Sequence, residues 1–361
     1  MHRFPSTQTA RRWVPLAFAL LLAAAPALAN DVFQRHLLVS DGYLQAAHTD
    51  PNLVNGWGLA FNPFGFAWVA AADGTVSTLY DGAGNVQSLV VQIPQPNAPT
   101  GGNPTGIVFN GSTGFVVTQG TASGPSRFIF ATEQGVIAAW SPDVDLTHAI
   151  RMVDHSPQHS SYKGLAISAG GRGQLLYAAD FFHGRVDVFD STFHGVGLHA
   201  GAFTDPNLPR DYAPFGIQAI GGDIYVTYAK QAPGGDEEEH GPGLGFVDVY
   251  SPTGYLIRRI ASRGALDAPW GIALAPANFG GFSNKLLVGN FGDGYINVFD
   301  PTSGKPLGTL RDGNGQRIWI DGLWGIAFGN GLAQQPVDAL FFAAGPKQES
   351  HGLYGRIDRV H

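Results

Sequence analysis

Hydrophobic positions along this chain do not form a helical stripe. They come in short runs that alternate with polar residues or end at Gly, Pro, Asp and Asn, as short buried or half-buried strands do. "LLYAAD" (175–180), "RVDVFD" (185–190), "FVDVYS" (246–251), "KLLVGN" (285–290) and "YINVFD" (295–300) are such runs. One pattern keeps returning. "VNGWGLAFNP", "GGNPTGIVFN", "SSYKGLAISA", "DYAPFGIQAI", "DAPWGIALAP" and "IDGLWGIAFG" each set a Gly before an apolar pair. Aligned on Gly58, Gly106, Gly164, Gly216, Gly271 and Gly325, the copies step by 48, 58, 52, 55 and 54 residues.

A period near 50 with strand-like content predicts sheets arrayed around an axis, one per period. Each period holds the Gly strand, a second apolar strand, an alternating third and a more polar fourth such as "YLIRRIA" (255–261). "YDGAG", "YSPTG" and "FDPTSG" supply hairpin turns between the third and fourth strands. The expected fold is all-β, a six-bladed β-propeller. Its first strands lie nearest the axis, where Gly lets neighbouring backbones approach. No helix is expected beyond residue 29. The sixth period is one strand short, and "VFQRHLLVS" (Val32–Ser40) is spare. The N-terminal strand is therefore expected to close the last blade as its outermost member.

The first thirty residues read differently. "MHRFPSTQTARR" holds three Arg and no acid, "WVPLAFALLLAAAPALA" is apolar, and Ala27-Leu28-Ala29 is an A-x-A cleavage signal. Residues 1–29 are expected to be a signal peptide and residues 30–361 a single propeller domain. The apolar run falls short of the ~20 residues of a membrane span, so no integral membrane segment is expected after cleavage. The location is then exported, periplasmic or extracellular, with Arg11-Arg12 leaving the twin-arginine and general routes both open. Loss of Arg3, Arg11 and Arg12 moves the formal charge from −7 to −10. An acidic surface argues against nucleic acid as a partner.

The chain has no Cys, which removes disulfides, thiolate metal sites and Cys nucleophiles together. Its 50 Gly and 24 Pro accompany 44% hydrophobic and 12% aromatic residues, so they mark turns rather than disorder.

Catalytic motifs are absent: there is no G-x-S-x-G, H-E-x-x-H or P-loop. His155 and His159 stand four apart, but Pro157 between them makes a loop. "DGNGQ" (312–316) alternates oxygen side chains without a closing Glu and reads as a polar turn. The acidic run Asp236–Glu239, inside an insertion at 232–243, reads as a solvated loop.

The central mouth is the place to look for a site, because side chains from every blade converge there. Trp57, Thr105, Lys163, Phe215, Trp270 and Trp324 immediately precede the repeat glycines. Aromatic faces there would stack a sugar or another flat ligand. The commoner fate of a large aromatic is a buried wedge between blades. The candidate ligand-binding set is Asn55, Trp57, Lys163, Phe215, Trp270 and Trp324. Asp73, Asn103, Asp180, His183, Asn290 and Asp293 should reach the same mouth. Asp180, Asn290 and Asn103 converging would suit calcium, which takes about six to eight oxygen ligands, with His183 or Asp73 moving protons. The same residues otherwise cap turns.

Through "RFIFATEQGVIAAW", "YKGLAIS", "APWGIALAP", "LLVGNFGDGYINVFD", "DGLWGIAFGNG" and "LFFAAGPKQESHGLYGRI", the chain resembles a family of uncharacterised exported bacterial six-bladed propellers. Some of its members end in a PEP-CTERM sorting tail. More distantly it resembles NHL-repeat and gluconolactonase-like propellers. The nearer resemblance implies fold and export and no activity. The distant one implies an oxygen-rich metal site where an ion polarises a carbonyl and a carboxylate handles protons. Nothing after "GRIDRVH" resembles a sorting tail, so anchoring by that route is not expected. Two functions follow. One is a binding module for a protein, carbohydrate or small-molecule ligand. The other is a calcium-dependent, lactonase-like hydrolase at the channel mouth.

Overall fold

Each of the six glycine-centred segments is the innermost strand of an antiparallel sheet. The structure, a computed structural model, describes residues 1–2, 31–170 and 173–360. The expected cut after Ala29 and nearly all of the leader lie outside the described residues. Blade 1 runs Gly56–Phe61, Ala67–Ala71, Val76–Tyr80 and Val91–Gln92, and blade 2 Pro104–Phe109, Phe128–Thr132, Val136–Trp140 and Ile150–Asp154. Blade 3 has three strands among the described residues: Tyr162–Gly170, Gly173–Asp180 and Arg185–Phe189. Blade 4 runs Tyr212–Ile220, Asp223–Gln231, Phe246–Tyr250 and Leu256–Ser262, and blade 5 Pro269–Leu274, Leu286–Asn290, Ile296–Phe299 and Pro306–Thr309. Blade 6 has Leu323–Phe328, Leu340–Ala344 and Leu353–Val360.

The fourth strand of blade 6 comes from the other end of the chain. Val32–Ser40 lies antiparallel to Leu353–Val360, with Val32 opposite Val360 and Ser40 opposite Leu353. The ring is thus closed by main-chain hydrogen bonds, as the spare segment led us to expect.

The hairpins follow the turn chemistry of the sequence. Asp81 Oδ1 accepts the N–H groups of Ala83 and Asn85, Asp190 Oδ1 those of Thr192 and His194, and Asp300 Oδ1 those of Thr302 and Ser303. One carboxylate satisfies the donors that a tight turn leaves free, so the third strand of these blades ends in Asp.

Burial divides by layer. Six apolar clusters fill the six interblade spaces, and a seventh sits on the axis. The repeat glycines lock the inner ring. A Cβ on Gly58, Gly164, Gly216, Gly271 or Gly325 would fall inside 3.0 Å of the carbonyl oxygen of Thr105, Phe215, Trp270, Trp324 or Trp57 respectively. Each of those residues precedes the next blade's glycine, so the close approaches run round the ring and return to their start. The motif recurs because blade spacing at the axis leaves no room for a side chain at that position.

Candidate functional site

Two rings of side chains meet on the axis at the face where the innermost strands begin. The first is the residue before each repeat glycine. The second follows the pairs Gly56–Ala71, Pro104–Thr132, Tyr162–Asp180, Pro214–Tyr228, Pro269–Asn290 and Leu323–Ala344. It comprises Ala72, Glu133, Phe181, Ala229, Phe291 and Gly345. Most members of both rings fuse into a buried aromatic plug. Trp324 is sandwiched between Trp57 and Phe291, with ring centroids 3.6 and 3.8 Å away. Trp270 meets Trp57 and Trp324 edge-on and donates its indole N–H to the carbonyl of Lys163 at 2.8 Å. Trp57, Phe215 and Trp324 therefore cover one another and offer no stacking face to solvent, while Trp270 stays half-buried.

The plug departs from this pattern in blades 2 and 3, where Glu133 and Lys163 take ring positions. The Lys163 side chain is 2% exposed. Its ammonium lies 2.5 Å from Glu133 Oε1 and 3.7 Å from Glu237 Oε2, and sits over the Trp57 ring at 5.2 Å. Burial alone would lower its pKa, but the carboxylates of Glu133, Glu238 and Glu237 hold it well above the ordinary lysine value. Lys163 is thus held as a cation.

Carboxylates from other blades crowd over it. The insertion of blade 4 does not run free in solvent. Glu238–Glu239 pairs with Lys230–Gln231 as an extra strand, which turns the Glu238 side chain inward to 6% exposure. Its Oε1 lies 3.3 Å from His240 Nε2, and that contact raises the imidazole pKa. The expectation of a solvated acidic loop is corrected here. Backbone pairing at the end of the second strand carries part of the run to the axis.

Blade 6 adds Glu349 from the loop between its second and third strands. Lys347, Gln348 and Glu349 have φ of 56°, 54° and 66°, three consecutive left-handed residues without a Gly. Each costs roughly 1–2 kcal/mol relative to ordinary backbone, and local bonds hold the turn. Lys347 N–H donates to Asp321 Oδ2 at 2.8 Å and Glu349 N–H to the Gly345 carbonyl at 3.0 Å. Burial pushes the Glu349 carboxyl up to about 7. Glu238 and Glu133 add to the rise, and a hydrogen bond from Asn55 and the charge of Lys163 oppose it.

Asn55 links the carboxylates. It too is left-handed, with φ 51°, a conformation Asn tolerates. Its Nδ2 donates to Asp73 Oδ2 and to Glu349 Oε1, both at 3.1 Å. Its Oδ1 lies against Gly345, where a Cβ would collide with it, and has no partner among the described residues. Glu238 Oε2 and the indole nitrogens of Trp57 and Trp324 are also buried without partners among the described residues.

Other expected site residues stay apart. Asp180 accepts from Ser161 N–H and meets His183 Nδ1 at 2.8 Å, all within blade 3. Asn290 donates to the carbonyl of Ala265 and to Asp293, which caps Tyr295 N–H. Asn103 bonds the Ala72 carbonyl, Asp73 and Gln134. Asp180, Asn290 and Asn103 thus lie in three local networks: Asp180 and Asn290 end second strands, where the next residue is the one that faces the axis, and Asn103 precedes the first strand of blade 2 and bonds across to blade 1. Among the described residues no three His, Asp or Glu side chains are grouped to hold a metal ion. The two proton-transfer candidates are likewise separated, His183 on Asp180 and Asp73 on Asn55 and Asn103. His155 bonds the Tyr162 hydroxyl at 2.6 Å, and the turn Ser156–Gln158 separates it from His159.

Sequence reasoning missed Glu133, Glu238, His240 and Glu349. A usable signal was present for Glu133: it follows "FIFAT" at the register where Phe181 follows "LLYAAD" and Phe291 follows "LLVGN". Glu349 carries no such signal, since its position depends on the left-handed turn.

At the opposite face the axis opens into a funnel of about 350 Å³ lined by the ends of the innermost strands. Phe61, Phe109, Ile220, Leu274 and Phe328 stand round it, and Gln218 is its one polar lining residue among the described residues. It narrows to an axial cavity of about 30 Å³ between the repeat glycines.

No family model matches the chain. An uncharacterized protein of Acanthamoeba polyphaga mimivirus is 35% identical over 340 residues, covering 92% of this chain and 82% of its own length. The soluble aldose sugar dehydrogenase of Escherichia coli superposes with a TM-score of 0.56 at 13% identity, over 91% of this chain and all of that one. A streptogramin B lyase superposes with a TM-score of 0.51 at 13% identity, over 93% of this chain and all of that one. At such identity these likenesses speak for the propeller fold alone.

Proposed function

The chain belongs to one family with the mimivirus protein, and for it we propose the role of an exported binding module. Its ligand seat is the axial mouth where the innermost strands begin. One observation carries this reading: Glu349 is held over the axis by three successive left-handed residues and bonded to a buried Asn that is itself left-handed. Strain of this kind is kept where a side chain must be presented in one place. Ionisable groups from blades 1, 2, 3, 4 and 6 also share this mouth, and perturbed ionisation concentrates at functional sites. The scaffold supplies rigidity, since the plug beneath is a continuous aromatic stack. Export is supported by the basic, apolar and A-x-A order of the first 29 residues.

The test compares the parent with Gly345→Phe, which drives a ring against Asn55 and Glu349 at the mouth. Both are exposed to mixtures of small amines, sugars and peptides while indole fluorescence and melting temperature are followed. The parent should respond and the variant should not. Equal responses in both would place binding elsewhere. N-terminal sequencing of the secreted protein should begin at Asn30.

A further inference from the structure

The unpartnered atoms at this mouth specify a ligand class. Resting on the reading of the mouth as the ligand seat, we propose that the ligand presents a primary ammonium or guanidinium group, a cation carrying N–H donors.

The charge balance comes first. Asp73, Glu133, Glu237, Glu238 and Glu349 face Lys163 and His240. Lys163 is within ion-pair distance of Glu133 and Glu237, and Glu238 meets His240. Among the described residues Asp73 and Glu349 have no ion-pair partner; their shared contact is the neutral amide of Asn55. The mouth therefore carries uncompensated negative charge in a partly desolvated place, where a cation is attracted more strongly than in water.

The second observation is independent of charge. Asn55 Oδ1, on a residue 3% exposed, and Glu238 Oε2 are buried acceptors without donors among the described residues. An unmet buried acceptor is costly, and neither atom can be satisfied by another carboxylate or by a tertiary or quaternary amine lacking sufficient N–H groups. Both would be met by an ammonium or guanidinium, whose charge-assisted N–H bonds are the stronger kind. The protein already shows how a cation is received here: the ammonium of Lys163 rests over the Trp57 ring between carboxylates. The carboxylates are spread over four blades and not drawn into one metal-sized cluster among the described residues. That spacing suits a multi-atom organic cation.

Titration of indole fluorescence with cadaverine, arginine amide and glucosamine tests this, with glucose, tetramethylammonium and calcium chloride in parallel. The N–H cations should bind and the others should bind at least about tenfold more weakly. For cadaverine, whose amines stay protonated over this range, affinity should rise severalfold between pH 6 and pH 8 as Glu349 ionises in the field of Asp73, Glu133, Glu238, His240 and Lys163. Glu349→Gln and Glu238→Gln should each weaken binding by about tenfold or more. Glu239→Gln, whose carboxylate pairs with Lys230 outside the mouth, should not. Calcium or glucose binding as tightly as the amines, or no response to any of the three cations, overturns the cation assignment. The seat itself is judged separately: a neutral ligand blocked by Gly345→Phe would keep the seat and reject the class, whereas binding indifferent to that change would reject the seat.

Discussion

The two ends of the axis are built from the same six strands and differ in almost everything else. Where the strands begin, an aromatic plug closes the channel and carries a buried cation, five carboxyl groups and a strained turn. Where they end, the channel opens into an apolar funnel with one amide among its described lining residues. The residue after each repeat glycine is always aliphatic: Leu59, Ile107, Leu165, Ile217, Ile272 and Ile326. The residue before it varies from Trp to Thr to Lys. Positions that obey sixfold repetition belong to packing, and positions that break it carry the site. Lys163 and Glu133 break it most, placing a charged pair in rings otherwise made of aromatic and small residues.

The ring between the two mouths should respond most. Gly216→Ala places a methyl against the Trp270 carbonyl, a backbone atom that cannot swing aside. It should cost roughly 3 kcal/mol or more of unfolding free energy. A denaturation midpoint equal to that of the parent would show that the glycines are not spacing the blades.

Lys163→Met should follow, with a loss of about 2–4 kcal/mol, because it leaves Glu133 and its neighbours facing one another in a half-buried mouth. It should also raise the ionisation range of Glu349, visible in a pH titration followed by NMR. A neutral outcome would mean that the mouth is wet enough to screen its own charge.

Glu349→Gln should act with a sign set by pH. Burial puts the folded pKa at about 7, above that of an exposed Glu. The folded state therefore holds its proton more tightly than the unfolded chain. The stability linked to that proton is complete below the ordinary Glu range and is lost as pH climbs through 7. The neutral variant should gain roughly 1–3 kcal/mol over the parent at pH 8 and little at pH 5. The same gain at both values would remove charge burial as the cause.

The smallest effect belongs to the funnel. Gln218→Leu, at an exposed position outside any polar network, should stay within about 0.5 kcal/mol. A large change there would mean that the two mouths are less different than their side chains indicate.

Blade count, strand order, the closing role of Val32–Ser40 and the Asp-capped turns were all legible in the sequence. Each rests on a local pattern repeated several times, and repetition averages out single departures. The site was legible only in part. Asn55, Lys163 and Asp73 were read as mouth residues, and the structure sets Asn55 against Asp73 and Glu349, and Lys163 against Glu133. The aromatic residues were found, but their mutual burial depends on how six inner strands lean together. The acidic run was taken for a loop in solvent, because nothing in "GGDEEEHG" announces that it will pair with Lys230–Gln231.

By itself, then, the order of amino acids determined a closed ring of six sheets. Alternation, turn residues and obligatory glycines act over a few neighbours and need no knowledge of distant chain. Only the tertiary structure decided which charges meet. Asn55 and Glu349 are 294 residues apart and bonded, and Glu133, Lys163 and Glu238 reach them from three further blades. Their burial exists once the ring has closed, and burial gives those charges their unusual chemistry.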